Sequence, residues 1–392
     1  MKTRWAVIAL ALIATVPSPF LSRAYTVEIP TDRAQKSKPA TVKVLLDEHR
    51  DRVLIEAKGP YLIYNPLSNI LIGQGGHKKK AWVTPSADGI SWGELVPGNF
   101  EIRIVPKDNK GSILVDGIEY KGCVEIYDMK GELFVVNEVD TERYLKSILT
   151  FQFPQELDEE VMDAVAIAAR TDAYYAAALT PVAYWHVKAE EVGYQGYGIT
   201  LQNLHVDRAV NNTRHMIMTY NGLPFPATWT KDSAGKTADF ATFFRKQVDV
   251  PQGVDSPFSA YEREKHAWKF TLSKQELAKA LGAAGVAQVE LYTDTASHKV
   301  YAAKLKDGQQ SQQFDFATLQ TALTPAKLKS SDFTVEIQGN NVLFKGFGEG
   351  TGVGLCLFSA SAMADKGEKA SKILNTFFPG TQLERSCKNK DF

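Results

Sequence analysis

VNEVDTERYLKSILTFQFPQELDEEVMDAVAIAARTDAYYAAAL, residues 136–179, is the stretch whose reading decides the fold of this chain. Its first half predicts a helix over 142–149, for which Asp140 or Thr141 offers a side-chain oxygen to the free N–H groups of the first turn. Pro154 interrupts, because it has no N–H to give and restricts the residue before it. Asp158, Glu159 and Glu160 then place negative charge in the first turn of a second helix, where the helix dipole favours it. The run VMDAVAIAARTDAYYAAAL is alanine-rich and has apolar residues at helical spacing, at Val161, Val165, Ala168 and Tyr175. Thr180-Pro181 ends it.

Outward from this helical pair the pattern changes. Residues 41–126 read as short strands (VKVLL, DRVLIEAKG, YLIYN, AWVTP, FEIRIVP, CVEIYD) punctuated by Gly, Pro, Asn and Asp. Asp116-Gly117 has the composition of a two-residue type I′ hairpin turn. On the C-terminal side, residues 182–270 mix strands with a helix. Farther on, LSKQELAKALGAAG reads as one helix, and LYTDTASHKVYAAKL with FDFATLQTAL as a hairpin followed by a helix. The expected fold class is α+β, with mixed sheets and a central helical pair. A strand-rich region, 41–126, leads into a region, 127–383, whose second strand-and-helix part returns to close a cleft.

Lysine plus arginine equals aspartate plus glutamate, 45 each, so the chain carries no basic footprint for nucleic acid. The glycine-rich segment 347–354 is followed by no lysine-serine pair and lies outside a βαβ pattern, which excludes a nucleotide loop. Lys2 and Arg4 precede a run of about a dozen apolar residues, and Ser22 and Ala24 fit a cut after Ala24, so 1–24 reads as a secretory signal. Residues 25–40 read as a linker. The expected location is therefore outside the cytoplasmic membrane, in the periplasm or cell envelope. Cys123, Cys356 and Cys387 allow at most one disulfide, and the sequence leaves open whether Cys123 and Cys387 pair. No CxxC pair or histidine cluster supports a metal site, and no cofactor is expected.

VNEVDTERYL, FQFP and AVAIAART fall at the spacing of the SpoIID/LytB signature, VN-x-V-x-LE-x-YL-x-GVVPSEMP followed by AxAVAARTYA. Further on, Tyr194-Gln195-Gly196-Tyr197-Gly198 resembles Q-x-Y-x-G, and LFKGFGEGTGVGLCLF resembles FxGxGxGHGVGMSQ. Over about residues 41–383 the chain resembles this family of peptidoglycan-remodelling proteins. The resemblance implies a SpoIID-like fold and a lytic transglycosylase acting on denuded glycan strands at the division septum. In that chemistry one carboxylic acid protonates the leaving oxygen, then takes the proton of the muramyl C6 hydroxyl that attacks within the substrate. The LytB members imply partnership with a cell-wall amidase or other septal proteins.

The resemblance puts the catalytic glutamate at Gln152, a residue that hydrogen-bonds but cannot give and retrieve a proton. Two readings follow. In one, a substitute carboxylate works beside Gln152: Glu156 a helical turn on, Glu349 in the glycine-rich loop, or Glu142. In the other, the chain is a catalytically inactive glycan-binding protein that recruits or activates an amidase. Two family histidines are also replaced, at Thr230 and Thr351. The substrate-binding set implied is Arg170, Tyr174, Gln195, Tyr197, Ser233 and Thr351. Arg170 reads either as a ligand for a muramyl carboxylate or as a helix arginine held by a buried partner. Tyr194, Trp185 and Trp229 add faces for sugar stacking.

Overall fold

The computed structural model describes residues 41–386, apart from 109–110, 180–182, 309 and 325–326. The segments expected to be signal and linker, 1–40, and Cys387 lie outside the described residues.

Alternating burial along the N-terminal strands builds two sheets. In Thr41–Arg50, Val42 and Val44 point into the core while Thr41 and Lys43 are only partly covered. That strand lies in a seven-stranded sheet, in the order Val187–Lys188, Thr41–Arg50, Glu132–Asp140, Cys123–Met129, Glu101–Pro106, Tyr61–Tyr64, Leu71–Gly75. The sheet is antiparallel except where Val187–Lys188 joins parallel to Thr41–Arg50. The strand-rich part therefore runs on to Asp140. The cause is a tight turn at Lys130-Gly131, both at positive φ (62° and 88°), which folds Glu132–Asp140 back onto Cys123–Met129.

A second, six-stranded sheet is centred on Val53–Ala57. Its Asp116-Gly117 turn has φ of 47° and 90°, with Val115 paired to Ile118, as the composition predicts. Tyr61 from one sheet meets Trp92 from the other at 5.0 Å between ring centroids, inside one shared core.

The strand Glu132–Asp140 runs straight into α1 (Thr141–Gln152), and Asp140 is the cap: its carboxylate accepts the N–H groups of Glu142 and Arg143 at 3.1 and 3.3 Å. Helix α2 (Glu159–Leu179) is buried along most of its length, with Val161, Val165 and Ala168 fully enclosed. The architecture is α+β, with this helical pair set against the sheets.

One acid on α2 is held at a cost. Asp163 has a buried carboxylate oxygen without a hydrogen-bond partner. Burial, then Glu159 and Glu160, push its pKa from 3.8 to about 6. Between those values the folded state keeps a proton that the unfolded chain releases, so this group's contribution falls as pH rises through the window. Asp163→Asn should be more stable than wild type at pH 7.5 by about 1 kcal/mol in urea unfolding, because solvent reaches part of the side chain and screens the effect. The advantage should disappear below about pH 4, where both states of the wild type are protonated.

Residues 238–353 enclose a second core around Leu277, Leu319, Phe333 and Phe344. Two three-stranded antiparallel sheets build it. One consists of Ala267–Ser273, Asn341–Phe347 and Asp332–Gln338, the other of Gln288–Thr293, Val300–Asp307 and Gln310–Asp315. The helix Lys274–Leu281 starts with a reciprocal Ser273/Glu276 capping box. Lys299, 1% exposed, ties this module to the rest: its ammonium donates to the Ser233 carbonyl and to Asp332, both at 2.7 Å. Burial draws the Lys299 pKa below its usual range, and Asp332 acts in the opposite direction. Among the described residues no helix is long and apolar enough to cross a membrane.

Candidate functional site

Helix α1 stops at Phe153-Pro154, and its last residue is left exposed. The Gln152 amide Nε2 donates to the Val192 carbonyl at 3.2 Å. Beside it opens a groove of about 760 Å³, walled by Gln152, Phe153, Trp229, Lys231, Phe358 and Asp365, among others. The strand Trp229–Thr230 pairs in parallel with Leu355–Cys356, and this pairing brings Trp229 and the glycine-rich motif to the end of α1. The Trp229 ring lies 5.9 Å from that of Phe153.

The glycine-rich loop is shaped by close approach. A Cβ on Gly354 (φ 77°) would sit 2.2 Å from the Thr228 carbonyl, and one on Gly350 (φ 101°) would sit 2.5 Å from Thr230 Oγ1. Thr230 is buried and braces the loop: it accepts the Gly352 N–H at 3.0 Å and donates to the Glu349 carbonyl at 3.1 Å. Thr351 is half-buried; its carbonyl accepts from the Ser331 hydroxyl at 2.6 Å. Neither threonine can titrate.

The carboxylates named from sequence separate widely. Glu156 is exposed in the link between α1 and α2 and does not line the groove. Glu349 pairs with Lys231 at 2.9 Å, which brings it next to a groove residue. Glu142 is buried against Arg170. Among the described residues the carboxylate that lines the groove is Asp365, at the end of the helix Leu357–Ala364. Sequence reading missed it, because a helix-end aspartate beyond the last motif letter looks like any solvated charge.

The expected substrate-binding residues are likewise dispersed. Arg170 is fully buried; its Nε and Nη2 donate to Glu142 at 2.9 and 2.7 Å, and further donors reach the carbonyls of Met216 and Val210. Tyr174 is buried with its hydroxyl 3.1 Å from that of Ser386. Ser233 is buried, its N–H donating to Cys356 Sγ at 3.3 Å. Gln195 is exposed, and its N–H donates to Ser147. Tyr197 is half-buried under the Lys121 ammonium, 4.8 Å from the ring centroid. Of the aromatic faces, Tyr194 is buried on Asn137, Trp185 stacks on Phe134, and Trp229 alone lines the groove.

Two polar clusters lie outside the site residues expected from sequence. Asp232 accepts from the Ser259 hydroxyl and the Ala234 N–H and stands 2.5 Å from His266 Nδ1; the His266 ring meets the groove residue Phe358 edge-on at 4.9 Å. Cys123, Glu125 and Glu138 bring three potential metal donors within 4.8 Å. Lys43 and Arg103 already neutralise Glu125 there, at 2.9 and 2.5 Å, and burial pushes the Cys123 thiol well up, against the thiolate a metal needs. The groove itself combines an indole face, an amide, an ammonium and a carboxylate, a set suited to a polar ring with apolar faces.

The family described as stage II sporulation protein matches residues 129–220. The chain is 38% identical over 179 residues to an uncharacterised protein of Chlamydia pneumoniae, a match that spans 45% of this chain and 65% of that one. It is 24% identical over 271 residues to stage II sporulation protein D of Bacillus subtilis, covering 64% of this chain and 76% of the relative. Similarity to the amidase enhancer of Bacillus subtilis is 23% over 343 residues, 72% of this chain and 46% of the relative.

Proposed function

Because the chain belongs to the SpoIID/LytB family, we propose that it is an exported cell-wall protein that binds peptidoglycan glycan strands in the groove beside Gln152. The observation that carries this reading is the convergence of the signature helix, the Trp229 strand and the end of the glycine-rich motif on that groove, with Gln152 exposed in it and Trp229 offering a ring face. Glutamine holds a sugar oxygen or acetamide without transferring a proton, so binding persists where cleavage would fail. The likeness to an amidase enhancer supports a second partner, a cell-wall amidase acting at the septum on the same strands. Trp229→Ala should weaken binding of denuded strands about tenfold in a sedimentation or calorimetric assay, from the lost stacking area. Unchanged affinity would move the glycan elsewhere.

A second reading, slow lytic transglycosylase activity, is favoured by Asp365, the carboxylate that shares the groove with Gln152. Under it, wild type releases 1,6-anhydromuramyl ends from denuded strands, read by mass spectrometry. Asp365→Asn then abolishes them, while Glu156→Gln and Glu349→Gln leave them. Absence of anhydro ends from wild type removes this reading and keeps the first.

A further inference from the structure

The second core carries a pocket of its own, about 450 Å³, which shares no lining residue with the Gln152 groove. Its wall is aromatic. Tyr292 and Tyr301 stand side by side on neighbouring antiparallel strands, stacked at 6.3 Å with 29° between ring planes, and Phe244 faces the same space. The short helix Phe240–Phe244 ends at Arg245 in the left-handed conformation (φ 54°), which brings the Arg245 guanidinium over the Tyr301 ring at 5.3 Å. Arg245 is exposed and forms no ion pair with any described residue. Gln313 and Asp315 complete the rim; Asp315 is held in place by the Thr318 N–H at 2.8 Å.

A half-exposed pair of stacked rings suits the flat apolar face of a sugar, and the side-chain amide and carboxylate suit its hydroxyl and acetamide groups. The free guanidinium adds a preference for a carboxylate, which it can hold with paired hydrogen bonds. A glycan strand offers that carboxylate only after its stem peptide has been removed, because an intact stem turns the lactyl carboxylate into an amide. We infer that this pocket is a second glycan subsite, which takes an N-acetylated amino sugar bearing a free carboxylate and so distinguishes denuded from peptide-bearing strands. The inference rests on the glycan-binding reading and assigns to Arg245 a selectivity that the groove residues do not supply.

The test uses the mature chain with amidase-treated strands, peptide-bearing strands, an uncharged chitin oligosaccharide and free stem peptide, read by affinity and by hydrogen-exchange footprints. Denuded strands should protect both the groove segments and residues 240–245 and 288–303. Arg245→Gln should cut affinity for denuded strands about tenfold, as expected for loss of one charge-assisted contact, and leave chitin oligosaccharide binding unchanged. Arg245→Lys should restore part of the preference, and Tyr301→Ala should weaken both ligands. A footprint confined to the groove, or an Arg245→Gln variant with wild-type selectivity, overturns the second subsite and leaves the groove reading standing. No footprint with any glycan overturns both. Protection of 288–303 by free stem peptide alone overturns the subsite in favour of a peptide-binding surface.

Discussion

Gln152→Glu should convert the groove from binding to cleavage, with anhydromuramyl ends forming about 10²–10⁴ times faster than in wild type, the usual contribution of general acid catalysis. The surroundings favour this outcome. A carboxyl at this position would sit at the C-terminal end of α1, where the helix dipole disfavours negative charge. It would also face the Val192 carbonyl, which now accepts from the Gln152 amide and would instead accept from a protonated acid. Phe153 and Trp229 add apolar surface next to it. All three influences raise a carboxyl pKa, as the first step requires, because the group must carry its proton when it meets the glycosidic oxygen. Cleavage by the variant should therefore decline as pH rises past that elevated pKa, while strand binding changes little. If the variant and wild type cleave at equal rates, the acid does not work from this position. If strand binding is lost with the substitution, the amide itself is a required ligand.

Much of this architecture was legible in the sequence because local signals coincided with tertiary ones. Pro154 as an interruption and Asp116-Gly117 as a hairpin turn are fixed by backbone chemistry within a few residues and are where the sequence puts them, and the cap is Asp140, one of the two residues the sequence offers. The site was legible only in part. Gln152 stands out because one motif letter changes at an exposed helix end. Asp365, Lys231 and Phe358 stand where no motif letter singles them out, and the parallel pairing of Trp229–Thr230 with Leu355–Cys356 brings them to the groove. The second pocket was invisible for the same reason: Arg245 and Tyr301 meet across a turn and two strands whose sequence is weakly patterned. Arg170 lies between these cases, since a signature arginine fits a ligand or a core partner equally well until its burial is known.

Removing the Arg170 guanidinium should cost about 3–5 kcal/mol of stability, the range for deleting one member of a buried ion pair. Arg170→Ala removes both guanidinium hydrogen bonds from the buried Glu142 and leaves it the His215 N–H at 3.2 Å and the His215 imidazole at 3.7 Å. It also strips partners from the Met216 and Val210 carbonyls, which tie α2 to the strand and helix that follow. The pair is therefore a joint between α2 and the start of α1, and its loss should loosen the helix that presents Gln152. Replacing both partners with apolar residues of similar volume, Arg170→Met with Glu142→Leu, should recover more than half of the single-variant loss, because no charge is then left unpaired. Urea unfolding of the single and double variants measures this directly. A ligand role for Arg170 predicts something else: a folded Arg170→Lys variant of near wild-type stability whose affinity for denuded strands drops tenfold or more. Because the guanidinium is fully enclosed, the expected result is the reverse, a variant that is clearly less stable and, below its unfolding transition, binds denuded strands as wild type does.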